Sequence, residues 1–157
     1  MDPIAGFRYR GEGGDVSRAT EGGGEVALDI SATVTMPFAD AVEATRRALA
    51  NHGFGVITEI DMQQAFREKI GEESGPYTIL GACNPRLAFE ATRSEANVGL
   101  LMPCNVIVHE VADGVRVAAV DPEQLLGLIG GAELRQAAAE VRKNLAAAID
   151  ELARDQG

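Results

Sequence analysis

The two cysteines of the chain each stand beside an asparagine and within two residues of a proline, in Cys83-Asn84-Pro85 and Pro103-Cys104-Asn105. A thiol reacts as its thiolate, and a position just before a helix favours that form through unpaired N–H groups and the positive end of the helix dipole. Asn84 as N-cap and Pro85 as first helical residue predict such a start. Cys83 is thus a candidate catalytic thiol and Cys104 a candidate resolving partner. That pairing requires Cα atoms within about 7 Å, across twenty-one positions of sequence. The alternative is that both cysteines fill small core sites. Asn84 and Asn105 are candidate ligand-binding residues, able to orient a polar group. Glu110 is a third, because strand alternation puts it on the face of Cys104, Val106 and Val108; a two-residue Asp113-Gly114 turn would set it opposite Val117. It equally suits a strand end that has reached solvent.

Other chemistries find less support. Two cysteines and two histidines lack the Cys-x-x-Cys or His-x-x-x-His spacing of a metal site, and Cys104 and His109, five apart on one strand, face opposite sides of it. No metal set is assigned, and no cofactor follows from the residues. His52 beside Gly53 suits a helix C-terminus. Asp61 and Asp121 read as helix caps rather than acid–base catalysts. There is no Gly-x-Ser-x-Gly elbow, dinucleotide fingerprint or phosphate-loop lysine.

With 24 acidic against 14 basic residues the net charge is -10, which repels nucleic acid and an anionic membrane surface. Neither is expected as a partner. The most apolar stretch, 98–108, is too short to span a bilayer, and the N-terminus has no basic patch followed by an apolar run. Two cysteines cannot form a dense disulfide framework. A cytoplasmic protein with reduced thiols is expected.

The elements that must position these residues are legible in turn. Residues 1–25, rich in glycine between polar residues, read as a flexible arm. From Leu28, apolar residues alternate through Val34 as in a half-buried strand. Pro37 opens a helix whose face is Phe38, Ala41, Val42, Thr45, Ala48 and Leu49, ended by Gly53. Phe54 to Ile60 is a strand, and Asp61 with Gln64 caps a short helix that stops at Gly71. Tyr77 to Cys83 is a strand, followed by the helix opened by Asn84 and Pro85. Leu100 to Val111 reads as the longest strand, joined by Asp113-Gly114 to an antiparallel partner, Val115 to Val120. Asp121, Pro122 and Gln124 open a helix through Ile129, closed by Gly130-Gly131. The last segment, 132–154, contains no Gly or Pro, and its apolar positions step by four and three. Such a stripe fits either a coiled-coil seam or a helix lying on its own sheet.

Four separated motifs now stand in order: Gly53-Phe54-Gly55-Val56 to Glu59-Ile60-Asp61, Ile79-Leu80-Gly81-Ala82-Cys83-Asn84-Pro85, Leu101-Met102-Pro103-Cys104-Asn105-Val106 and Val120-Asp121-Pro122. Together they resemble domain of unknown function family 302, over about residues 30–153. The resemblance implies an α+β fold, with a curved, mainly antiparallel sheet backed by helices, in proteins that pair as homodimers. It implies no established activity. The reading is therefore one α+β domain over 26–157 with a long C-terminal helix. Its expected function is to bind a small ligand or handle sulfur and thiol redox chemistry at a cleft of Cys83, Asn84, Cys104 and Asn105. The alternative is a dimerisation or interaction domain with structural cysteines.

Overall fold

The computed structural model describes residues 28–126 and 128–156. The arm expected over 1–25 lies outside them. The elements run β1 (Asp29–Val34), α1 (Phe38–Asn51), β2 (Gly55–Asp61), α2 (Met62–Ile70), β3 (Tyr77–Cys83), α3 (Pro85–Ser94), a 3-10 turn (Ala96–Leu101), β4 (Cys104–Val111), β5 (Gly114–Val120), α4 (Pro122–Leu126) and α5 (Ala132–Arg154). The fold is α+β: one five-stranded antiparallel sheet in the order β1-β5-β4-β3-β2, not closed into a barrel and backed by helices.

Alternation along the strands decides the layers. Leu80, Ala82, Val106, Val108, Val117 and Ala119 are at most 1% exposed and face α1 and α5, whose Ala41, Ala48, Leu49, Leu145 and Ala148 complete the core. Each fully buried leucine contributes roughly 2 kcal/mol by leaving water. The coiled-coil alternative for the last helix is not realised within the chain, because α5 packs its stripe on α1, α4 and β1. Polar ties also hold that helix, among them one to α1 and one to the start of α4. His52 Nε2 lies 2.8 Å from Glu151, and Arg142 Nε donates to the buried Asp121 carboxylate at 2.8 Å.

Capping matches the sequence where side chains supply it. Asp61 accepts from Gln64 N at 2.9 Å and Gly71 adopts φ 68, so α2 has the predicted ends. Three boundaries differ. Residues 96–101 form a 3-10 turn, started by Glu95 accepting from Asn97 N, and β4 begins only at Cys104 because Pro103 offers no N–H to a ladder. The hairpin loop is Ala112-Asp113 rather than Asp113-Gly114, and Glu110 pairs with Val115, not Val117. Gly114, at φ 143, lies within β5 and against the Val34 carbonyl, where a Cβ would collide. Finally α4 stops at Leu126, and its cap Asp121 accepts from Glu123 N rather than from the Gln124 amide.

Candidate functional site

Beyond the core, the covered face of the sheet ends in a hollow. The β3–β4 ladder pairs Ala82 with Cys104, which leaves Cys83 diagonal to Cys104 across adjacent strands. Strand spacing and rise put these two Cα atoms roughly 6 Å apart, with the one-residue offset leaving their side chains out of direct cross-strand register. Both thiols are free and both line a cleft of about 60 Å³ enclosed by β3, α3, the 3-10 turn, α4 and α5. Its wall is almost wholly hydrocarbon, including Phe54, Leu87, Val98, Leu101 and Val141. Asn84 is the only other polar residue in the lining among the described residues.

The cleft exists because small side chains stand where large ones would close it. Ala82 on β3, Ala88 and Ala91 on α3 and Ala137 on α5 all face the space. Leu87 is 4% exposed and pins α3 to the neighbouring elements. Asn84 fulfils its expected part in that helix: its Oδ1 accepts from Leu87 N at 3.3 Å, with Pro85 as the first helical residue. A side chain so used is already committed to the cap.

Electrostatics turn the thiols away from the expected thiolate. Burial pushes the Cys83 pKa up. It pushes Cys104 up to about 11, with the charge of Cys83 as a smaller second cause. Desolvation of the thiolate is the first cause in both, and Asn84 already satisfies part of the helix N-terminus beside Cys83. Both groups therefore rest as neutral thiols at physiological pH.

The remaining candidates fall elsewhere. Asn105 pairs with Gly81 on the opposite, open face of the sheet, in an outer hollow of about 200 Å³ separated from the cleft by Met102 and Pro103. The Pro103 ring sits over Gly81, where a Cβ would meet its Cγ at 2.7 Å and also strike Thr58. Glu110 stands six residues beyond Cys104 on β4, about 20 Å along the strand, exposed where the helical layer ends. It is not part of the cleft. His109 stacks on Tyr77 with ring centroids 5.2 Å apart, on the open face and away from Cys104. Among the described residues no group of three or more His, Cys, Asp or Glu could hold a metal ion.

Sequence reasoning did not single out Met102, the alanines of α3 or Val98. The one available signal was an apolar stripe of α3, Leu87-Ala88-Ala91, in which Ala88 and Ala91 are small where a core helix carries leucine. No helix among the described residues is long and apolar enough to cross a membrane.

Comparison with known proteins follows the same outline. The family model described as Domain of unknown function DUF302 matches residues 30–152. The fold is similar to that of an uncharacterized conserved DUF302 protein from Bacillus stearothermophilus, known from its crystal structure, with a TM-score of 0.75 and 26% identity over 81% of this chain and 99% of that one. No curated protein matches the chain.

Proposed function

The chain belongs to the family described as Domain of unknown function DUF302, and from its geometry we propose that it binds a small, largely apolar molecule in the cleft beside Cys83 and Cys104. The observation that carries this reading is the lining: hydrocarbon on every side, interrupted by two neutral thiols and one capping amide. An apolar cleft of this kind gains free energy by accepting apolar atoms, whereas a polar ligand would lose its hydration there without recompense. Neutral thiols behave as small, polarizable hydrophobes toward such a ligand. A cytoplasmic setting belongs to the same reading, because the thiols must stay reduced for the cleft to keep its shape. Thiol exchange is the less favoured use of the pair: the nearness of the two strand ends supports it, while the one-residue offset and the burial that raises both pKa values oppose it.

Xenon is a suitable probe, being apolar and small enough for the space. Its NMR resonance is expected to shift in the presence of the protein, and Ala91→Leu, which fills the cleft, is expected to abolish the shift. A xenon signal that is absent, or that survives Ala91→Leu unchanged, defeats the reading.

A second reading, homodimerisation, is favoured by the open face. Across it Ala118, Ile107, Ile79 and Ile60 form one row of paired residues, with Ile60 48% exposed and Ile57 beside it 61% exposed. A second copy seated there would take this row out of water. Light scattering on wild type and Ile107→Glu tests it: a dimer that becomes a monomer supports the reading, and a monomeric wild type ends it.

A further inference from the structure

We infer that the inner cleft and the outer hollow together accept one uncharged amphiphile, a chain molecule whose hydrocarbon end enters beside Cys104 and whose hydroxyl or carbonyl head rests at Asn105. This rests on the apolar-ligand reading and specifies the ligand class. Leu101, Met102, Pro103, Val120 and Leu125 line both spaces, so one wall separates them. The inner space, about 60 Å³, suits only a short hydrocarbon segment, while the outer one offers about 200 Å³ for the remainder. Met102 is the movable part of the wall, an unbranched side chain with several soft torsions.

The rim supports the same occupant. Leu100 lines the outer hollow and is 84% exposed, a large apolar side chain left in water at the place a chain molecule would cover. Asn105 is exposed there and can donate and accept hydrogen bonds. Neither lining contains a lysine or arginine, and the chain carries a net charge of -10. A carboxylate or phosphate head would have no counter-charge, which selects neutral heads over fatty acids and phospholipids.

The test is a series of straight-chain alcohols from butanol to decanol, titrated by calorimetry against the full chain, with the carboxylates and methyl ethers of matching length. Affinity is expected to rise about fourfold per added methylene until the space is full. Alcohols are expected to bind at least tenfold more tightly than carboxylates, and Asn105→Leu to cost the alcohols about fivefold and the ethers, which accept but cannot donate, less. The xenon resonance in the inner cleft serves as the control for the fold and for the parent reading. If xenon binds but carboxylates match alcohols, or Asn105→Leu changes nothing, the amphiphile inference fails and the apolar cleft stands. If neither xenon nor any alcohol binds, both fail.

Discussion

The two ends of one sheet face are packed by different rules. Under α1 and the middle of α5, Val117, Val108, Leu49 and Leu145 are fully covered, and Ala41, Ala48 and Ala148 let the two helices close down onto them. At the cysteine end the same face meets alanines from β3, α3 and α5, and the hollow between them stays open. Hydrophobic patterning alone is thus no guide to where a core is closed; side-chain volume together with how closely the helices approach the sheet decides it. The packed end supplies stability, and the loose end supplies room for a guest.

Cutting into the packed end shows the contrast at its largest. Leu145→Ala should cost about 3 kcal/mol in urea unfolding, the transfer term plus the void left behind. A loss below about 1 kcal/mol would mean the two ends are alike. At the loose end, the thiols report enclosure. Cys104, raised from 9.0 to about 11, should hold about a hundredfold less thiolate at neutral pH than an open cysteine, so alkylation of Cys104 should lag far behind that of a denatured control. The sign for stability follows from the same shift: the folded state favours the neutral thiol, so its contribution is intact below pH 9 and is lost as pH rises toward 11. Equal labelling rates in the native and unfolded chain would erase the distinction between an enclosed and an open end.

Smaller effects sharpen it further. Gly81→Ala should destabilise by about 2 kcal/mol, because the added methyl meets Pro103 and Thr58 where the wall between the two hollows crosses the sheet. A neutral substitution would show that this wall yields easily. Asn84→Ala should cost about 1 kcal/mol by removing the cap of α3, with a lower thermal midpoint as the readout. An unchanged midpoint would show that Leu87 alone holds the helix in place.

Most of the fold was legible in local chemistry. The strand Tyr77–Cys83, the cap Asn84 with Pro85, the cap Asp61 with Gly71, and the bounds of the last helix follow from alternation, caps and breakers acting within a few residues. The misplaced boundaries have non-local or subtler causes. Gly114 belongs to a strand because β1 passes against it, a contact made with residues eighty positions away. Leu100 and Leu101 read as the start of the longest strand, yet the Glu95 cap draws them into a 3-10 helix before Pro103. Of the site, the meeting of Cys83 and Cys104 was a conjecture from sequence, whereas the separation of Asn105 and Glu110 from Cys104 follows from alternation and rise along one strand.

Local periodicity and capping determined by themselves that this chain makes alternating strands and helices, where most of them begin, and which residues turn inward, because those preferences are set by neighbours along the backbone. Only the tertiary structure decided that Ala82 faces Cys104, that a cleft opens beside them, and that the thiols are too enclosed to ionise readily. Register and desolvation depend on which distant segments share a volume, and that is a property of the assembled sheet and its helices rather than of any stretch of sequence.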